Sequence, residues 1–337
     1  MTGERAPDPT HWDRYWHADR LSACLADEDT HTSGAAIRAG WVAFFEALPA
    51  TARILDIGTG NGAIAIIASE TGRARQKQFE IHGVDQADID PARFLQDAGA
   101  MLTAIHFHAR TPSEVLPFPA AHFDAITGQY ALEYTDLAAT LAEFRRVAKP
   151  GAQLRFVLHA EDAQPVIGAG RDLAEIAFLM DDLAILEKAR ALMRAAFAFE
   201  TAASYDAELE AQARAAHEAY LAAAQQADAR YAVAGCKPMF TDLLAGIRSA
   251  WDRRRELTLD YILGGIGAIE TEMCAHQARL QEMRRAALSA DALDDLVTLF
   301  GDNGFESVST SELRVPDIVR YVGWNLQATR YGENAHE

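Results

Sequence analysis

The part of the sequence best equipped for chemistry is a glycine-rich turn that follows a short apolar run. Run and turn together read Ile54-Leu55-Asp56-Ile57-Gly58-Thr59-Gly60-Asn61-Gly62. Glycines at alternate positions let the backbone turn tightly and let a ligand approach the main chain. A helix predicted to begin directly after the turn offers free N–H groups and a partial positive charge to an anion. The segment therefore predicts a nucleoside-cofactor site whose loop includes Gly58, Thr59, Gly60 and Asn61.

Two acids narrow the choice of cofactor. Asp56 stands just before the first glycine, where a carboxylate opposes a pyrophosphate and attracts a cation. S-adenosylmethionine carries an ammonium for such an acid and a carboxylate for the N–H groups of the loop. Asp85 ends the next apolar run, where it is placed to accept hydrogen bonds from ribose hydroxyls. The pair favours S-adenosylmethionine over NAD.

Residues that could act on a methyl acceptor are fewer. Methyl transfer from a sulfonium is an in-line displacement, so the protein mainly positions the acceptor and excludes water. A base is needed only for a poor nucleophile such as a hydroxyl. His159 closes the fifth predicted strand and is the candidate general base, with Tyr130 after the fourth strand beside it. Either residue could instead be an ordinary polar strand end.

Strands and helices alternate from Ala52 to His159, which predicts a parallel, doubly wound sheet. Two β-rich runs near the C-terminus are separated only by Val315-Pro316, so they must pair as an antiparallel hairpin. The predicted fold is thus α/β, with a seven-stranded, mostly parallel sheet and an antiparallel C-terminal hairpin. Residues 51–161 and 289–337 form the cofactor-binding domain in this prediction.

Between these parts, residues 162–288 show only amphipathic helix, rich in alanine. We expect an all-α insertion after the fifth strand, with helix breaks at Gly235 and at Gly264-Gly265. It could cap the substrate pocket or form a homodimer interface. Residues 1–50 contain the aromatic segment from His11 to His17, which predicts either a helical lid over the cofactor or a helix that only packs on the domain.

Composition limits the partners. The chain has 337 residues with a formal net charge of −18, so nucleic acid is disfavoured as the main ligand. Its three cysteines lie far apart and away from histidine clusters, which indicates buried free thiols and no zinc site. His106 and His108 are interpreted as structural. Without a signal peptide or an apolar run of about 18 residues, we expect a cytoplasmic protein that does not cross a membrane.

Several short motifs in register resemble the landmarks of class I S-adenosylmethionine-dependent methyltransferases. They occur in the familiar order over about 110 residues: Ile54 to Ala63, Gly83 to Asp85, Leu116-Pro117-Phe118 with Phe123-Asp124, and Glu143 to Val147 with Lys149-Pro150-Gly151. The closing Gly304-Phe305 pair also fits. The resemblance implies a Rossmann-like seven-stranded sheet and S-adenosylmethionine as cofactor.

The resemblance also implies roles for individual residues. Asp56, Gly58 and Gly60 would surround the amino-acid end of the cofactor, and Asp85 would bind the ribose. Gln86 would lie near the adenine, with Gly128 and Gln129 toward the sulfonium. The family often has an acid for the adenine amino group, and this chain has Ala109 to Ser113 in its place. Thr111 or a backbone carbonyl would have to substitute.

The sequence therefore predicts an enzyme that transfers a methyl group to a small molecule under a helical cap. Methylation of RNA or protein is the alternative within the same enzyme class, although it calls for a basic surface. A cofactor-binding scaffold without catalysis, whose helices recruit partners, is a further alternative. An occluded pocket beside Gln129, Tyr130 and His159 would support the scaffold, and an open one would favour catalysis.

Overall fold

The computed structural model describes residues 10–18, 20–21, 34–95, 99–234, 238–315 and 320–332. The strands are β1 Arg53–Ile57, β2 Glu80–Val84, β3 Ile105–His108, β4 Phe123–Gln129, β5 Ala148–Leu158, β6 Phe305–Val315 and β7 Arg320–Arg330. Before β6 lie the helices α1 Thr10–Trp16, α2 Ala35–Ala47, α3 Ala63–Ala74, α4 Pro91–Phe94, α5 Gly99–Leu102, α6 Leu137–Val147, α7 Gln164–Ala177, α8 Ile185–Glu200, α9 Ala207–Ala234, α10 Pro238–Asp252, α11 Leu259–Ala286 and α12 Ala290–Asp302.

One sheet contains all seven strands, in the order β3-β2-β1-β4-β5-β7-β6. The pairs among β1 to β5 are parallel, and β7 runs antiparallel to both of its neighbours. The predicted doubly wound sheet with an antiparallel C-terminal hairpin is therefore confirmed. The carboxyl ends of the parallel strands lie at one edge, where open α/β sheets bind their ligands.

Helices cover both faces of the sheet because successive residues of the central strands, which point to opposite faces, are buried. On one face, Trp41 and Phe45 of α2 pack with the isoleucines of α3 against Ile54. On the other face, Phe144 of α6 and Phe300 of α12 pack against Phe156. Burying an aromatic or aliphatic side chain of this size stabilises a fold by roughly 1.5–3 kcal/mol. The two apolar layers thus hold the strand ends in place.

Gly323 shows how closely β7 approaches β5. Its φ is +147°, and a Cβ there would overlap the carbonyl oxygen of Leu158. In the adjoining register, Leu158 pairs with Trp324. Only glycine fits this approach, which sets the position of the last residues of β5.

A large helical segment follows β5, as the sequence predicts. Residues Arg171–Ala278 form a compact unit of their own, in which α8 packs on α9. Outside this unit, a parallel bridge joins Ala160 to Leu288. The backbone N–H of Leu288 donates to the carbonyl of His159 at 2.9 Å, and that of Glu161 donates to the carbonyl of Leu288 at 3.1 Å. The chain therefore leaves the sheet domain and returns to it at adjacent points.

Three sequence predictions need correction. α11 continues through Gly264-Gly265, where a helix break was expected. A Cβ at either glycine would meet nothing within 4 Å. Ile262 and Ile266 beside them are buried. Each glycine costs a helix about 1 kcal/mol. The cost of the two together is less than the burial of two isoleucines gains. The other expected break, Gly235, lies outside the described residues.

The second correction concerns α6, because the helical pattern of the sequence from Ala131 to Ala148 predicts a start at Ala131. The helix begins at Leu137 because the Asp136 side chain caps it, accepting a hydrogen bond from the N–H of Ala139 at 3.1 Å. The third correction concerns the cysteines. Cys274 is a free thiol but is exposed on α11 rather than buried. Cys24 and Cys236 fall outside the described residues.

Within the part of the chain that the structure describes, no helix is long and apolar enough to cross a lipid bilayer.

Candidate active site

The glycine turn adopts a backbone that requires glycine. Gly58, Gly60 and Gly62 have φ values of +53°, +51° and +89°, in the left-handed region. A Cβ on Gly58 would overlap Ala131, and a Cβ on Gly60 would overlap the ring of Trp16. The turn leads directly into α3, so the backbone at the carboxyl end of β1 is open to close approach by a neighbouring group.

Asp56 lies beneath this turn, at the carboxyl end of β1, and is 1% exposed. Its carboxylate accepts hydrogen bonds from the hydroxyls of Thr59 at 2.7 Å and Thr127 at 2.9 Å. Burial raises the pKa of Asp56 to about 7, against the lowering effect of the two hydroxyl groups. The side chain is thus a buried acid that would gain from a nearby cation.

Asp85 comes to the same turn from the end of β2, because β2 pairs in parallel with β1. One carboxylate oxygen accepts a hydrogen bond from the backbone N–H of Gly60 and the other from that of Ala87, each at 2.8 Å. Burial raises the pKa of this carboxyl as well. Each oxygen keeps a further lone pair for a hydroxyl ligand. The structure thus brings both predicted acids to the glycine turn.

Helix α1 lies against the turn. The Asn61 side-chain NH₂ donates to the carbonyls of Trp16 at 2.9 Å and Arg20 at 2.7 Å. The Trp16 ring packs between Gly60 and the buried side chains of Ala87 and Ile89. The second amide atom of Asn61, Oδ1, is buried without a hydrogen-bond partner among the described residues. An orphaned acceptor at this point fits a ligand that brings a donor.

The C-terminal part of α11 also holds α1 in this position. Glu282 accepts hydrogen bonds from the His11 and Trp12 rings, each at 2.9 Å. The Arg279 guanidinium donates to the His11 carbonyl at 3.1 Å and lies 4.7 Å from the centre of the Tyr15 ring. The helix is therefore anchored at the end of α11 as well as at the glycine turn.

The remaining predicted cofactor residues take varied positions. Gln86 is exposed just beyond Asp85. The Thr111 N–H donates to the Asp85 carbonyl at 2.8 Å, so the segment after β3 lies beside that acid. Gly128 is packed against Ile57 and Phe156, where a Cβ would not fit. The Gln129 side-chain oxygen accepts a hydrogen bond from the indole N–H of Trp41 at 2.8 Å.

The candidate acceptor side centres on a buried histidine and its carboxylate partner. Both side chains of the His159–Glu133 pair are fully buried, and His159 Nδ1 lies 2.7 Å from Glu133 Oε1. Glu133 Oε1 also accepts a hydrogen bond from the backbone N–H of His159 at 2.8 Å. The second carboxylate oxygen, Oε2, has no partner among the described residues. The pair can hold a proton and orient the imidazole.

Tyr130 completes this group. Its ring stacks on His159 with centroids 4.2 Å apart, and its hydroxyl donates to the Val322 carbonyl at 2.9 Å. Its φ of +55° is unusual for a bulky residue and costs about 1–3 kcal/mol. Strain of this kind concentrates at functional sites, where the surrounding structure enforces it.

Sequence reasoning missed two contributors to these sites. Glu133 follows β4 and His159 ends β5, which are adjacent parallel strands, so their meeting could have been inferred from topology. The packing of Trp16 on Gly60 depends on how α1 docks, and no spacing in the sequence encodes that. A chain of rings links the two sites, since Trp12 lies 6.2 Å from Tyr134 and Tyr134 lies 5.8 Å from His159.

The fold and the turn define the class of protein. An acid at the end of β1, a glycine turn, an acid at the end of β2 and an antiparallel seventh strand together are the arrangement of class I S-adenosylmethionine-dependent methyltransferases. The buried acids, the cradle of left-handed glycines and the orphaned Asn61 oxygen fit that cofactor.

Comparison with known proteins agrees with this class. Residues 54–151 match the family described as "Methyltransferase domain". Residues 54–151 thus resemble a methyltransferase domain, which agrees with the fold and the glycine turn. The resemblance seen in the sequence is confirmed. No curated protein matches the chain.

Solved structures that match this chain include the following three. One is the methyltransferase bound to the Trm112 methyltransferase activator in a Haloferax volcanii complex, at 21% identity over 44% of this chain and 60% of that chain, with a TM-score of 0.31. A second is an S-adenosylmethionine-dependent methyltransferase from Aquifex aeolicus, at 18% identity over 47% and 76%, with a TM-score of 0.35.

The third is the YcgJ protein of Bacillus subtilis, at 15% identity over 88% of this chain and all of that chain, with a TM-score of 0.33. The chain spans less than two thirds of the Haloferax protein. At these TM-scores, none of the three structures informs on the acceptor.

Proposed function

We propose that this chain transfers a methyl group from S-adenosylmethionine to a small-molecule acceptor, with His159 as general base and Glu133 as its orienting partner. The observation that carries this proposal is the buried Glu133–His159 pair at the carboxyl ends of neighbouring strands. When bound, the cofactor supplies an electrophilic methyl group on a sulfonium. Asp56, Asp85 and Asn61 are the residues we expect to hold it.

The pair is suited to a hydroxyl acceptor. The Nδ1–H of His159 donates a hydrogen bond to Glu133 Oε1. In this tautomer the lone pair of the imidazole lies on Nε2. A hydroxyl is a poor nucleophile, so a base that removes its proton raises the rate of displacement. Once the imidazole has taken up that proton, the neighbouring carboxylate stabilises its positive charge. Tyr130, stacked on the ring, fixes the plane of the imidazole.

The net charge of −18 supports a small molecule rather than RNA, because an acidic chain repels a phosphate backbone. For the helical unit Arg171–Ala278, a role as cap over the acceptor or as a homodimer interface stays a prediction. A cap would supply the exclusion of water that methyl transfer requires.

We propose α1 as the lid over both sites. The Trp16 ring occupies the space above Gly60, and the Trp12 ring reaches Tyr134 beside His159. Cofactor entry then requires α1 to shift away from the glycine turn. The contacts of Glu282 and Arg279 would bring the helix back after entry.

A cofactor-binding scaffold without catalysis is a second candidate, favoured by the complete burial of His159. A cavity of about 800 Å³ exists at the amino ends of β4 and β5, lined in part by Phe44, Lys149 and Arg155, away from His159. The two functions differ in whether the imidazole ever reaches an acceptor.

Calorimetry with the full chain tests the cofactor first. S-adenosylhomocysteine should bind and NADH should not, and Asp85→Ala should weaken that binding markedly. Binding of NADH without binding of S-adenosylhomocysteine would contradict the proposal. A panel of small hydroxyl, amine and thiol compounds, with release of S-adenosylhomocysteine as readout, then tests catalysis. Turnover that His159→Ala abolishes while cofactor binding persists supports the enzyme, and binding without turnover of any compound supports the scaffold.

A further inference from the structure

We propose that Glu80, His82 and His122 form a binding site for a divalent transition-metal ion of the zinc type. The site lies at the amino ends of β2 and β4, whereas the glycine turn lies at the carboxyl ends of the strands. It does not depend on the proposed methyl transfer.

The donor atoms are already close together. Glu80 and His82 alternate along β2, so their side chains share one face of the sheet. Glu80 Oε1 lies 3.2 Å from His82 Nε2, and the ligand atoms of all three residues lie within 4.8 Å of one another. Zinc bonds of about 2.0–2.2 Å in tetrahedral geometry place neighbouring ligand atoms roughly 3.3–3.6 Å apart. Ligand atoms that are up to 4.8 Å apart must therefore move closer together when an ion binds.

The surrounding residues hold His82 in a fixed orientation. Its Nδ1 lies 3.1 Å from His108 Nε2, so a second imidazole fixes the ring from behind. The His106 ring stacks on it at 5.0 Å, and the Phe118 ring meets it edge-on at 5.2 Å. Metal-binding histidines commonly hydrogen-bond through their other ring nitrogen in this way.

The two oxygens of Glu80 have separate partners. Oε2 accepts a hydrogen bond from Arg53 Nε at 2.8 Å, which leaves Oε1 toward His82. Arg53 Nη1 also lies 3.4 Å from His122 Nδ1. The Arg53 guanidinium therefore lies partly where a metal ion would bind. A bound ion must displace the contact between Arg53 and His122.

Two imidazoles and one carboxylate are a donor set that zinc uses with an open fourth position. The Glu80 side chain is 43% exposed and that of His82 is 13% exposed, so solvent can reach the ion from the Glu80 side. The ion would join β2 to the start of β4 across Arg53 of β1. We therefore expect an ion at the amino edge of the sheet with three protein ligands and water in the fourth position.

The site has no short motif in the sequence because the ligands are far apart in the chain and include no cysteine. Parallel pairing of β1 with both β2 and β4 brings them together.

Zinc and cobalt binding to the full chain, stripped of metal by a chelator, tests the proposal. We expect one ion per chain by calorimetry with Zn²⁺ and a tetrahedral visible spectrum with Co²⁺. Glu80→Gln and His122→Asn should each weaken Zn²⁺ binding at least about tenfold, as loss of one ligand does. His217→Asn removes a histidine of α9 whose ring stacks on Trp251, and it should leave binding unchanged.

Thermal unfolding provides a second readout that needs no variant. Zn²⁺ should raise the Tm of the unaltered chain reversibly, because an ion that binds only the folded state stabilises it. If the unaltered chain gives neither a cobalt spectrum nor a zinc-dependent Tm, the proposal is wrong. It is equally wrong if Glu80→Gln and His122→Asn, shown to be folded by circular dichroism, bind Zn²⁺ as tightly as the unaltered chain.

Discussion

Glu133 holds His159 at two points with a single oxygen: Oε1 lies 2.7 Å from the ring Nδ1 and 2.8 Å from the backbone nitrogen of the same residue. The double contact fixes both the position of the strand end and the rotation of the imidazole. A histidine with no role beyond ending the strand would not require its position and its ring rotation to be fixed in this way.

Replacing Glu133 by Gln should lower methyl transfer by about 10²-fold or more, the usual contribution of general acid–base catalysis. The amide keeps the shape but loses the charge that stabilises the protonated imidazole. Turnover of an acceptor found in the compound panel gives the measurement, and S-adenosylhomocysteine affinity is the control. Unchanged turnover would show that the charge of Glu133 does not assist His159.

Replacing Trp16 by Ala should accelerate binding of S-adenosylhomocysteine. If the open form of α1 is populated at about 0.1–10%, removing the ring that holds the helix closed should raise the association rate by roughly 10-fold to 1000-fold. Stopped-flow fluorescence measures this rate. Tyr261→Ala removes an aromatic ring that is 70% exposed and should leave the rate unchanged. Equal rates for Trp16→Ala and the unaltered chain would contradict the lid.

Cofactor affinity should depend on pH through Asp56. Its pKa of about 7 in the unliganded protein means that the carboxyl is mostly protonated at pH 6. An ammonium ligand favours the ionised form, so the acid must release its proton on binding. Affinity for S-adenosylhomocysteine should therefore fall as the pH drops below about 7 and level off above it.

Asp56→Asn should remove the pH dependence near pH 7 and bind more weakly at pH 8. Calorimetry in buffers of different ionisation enthalpy would detect the released proton directly. The sign for stability is opposite. Because its folded-state pKa is raised, Asp56 contributes stability below about pH 4 that is lost as the pH rises through 7. A pH-independent affinity would show that no cation binds at Asp56.

Gly323→Ala should destabilise the protein by more than about 1 kcal/mol, because alanine at a positive φ is strained and its Cβ would overlap the Leu158 carbonyl. Gly168→Ala is the matched control. Gly168 lies inside α7, and a Cβ there meets nothing within 4 Å. That change should be neutral or stabilising by about 0.5–1 kcal/mol. Urea denaturation of both variants gives the comparison, and equal stabilities would mean that β7 can move away from β5.

The sheet could be predicted because its signals are local. Asp56 with its glycines, Asp85 at the next strand end and the short link at Val315-Pro316 each specify one feature, and parallel pairing assembles them. The helix breaks could not be predicted as well, because Gly264-Gly265 looks like a break until the burial of neighbouring isoleucines is known.

The site was predictable in its cofactor half and less so in its acceptor half. Asp56 and Asp85 lie where the sequence predicts because strand ends meet at one edge. The packing of Trp16 on Gly60 depends on docking between distant segments. The spacing of residues along the chain does not predict such docking.

The bridge between Ala160 and Leu288 joins the two points at which the chain leaves the sheet domain and returns to it. The chain segments before and after the helical segment are hydrogen-bonded to each other beside His159. Insertions or deletions within the helices therefore need not change the strand register. The length of the helical segment can therefore vary while the sheet domain keeps its strands.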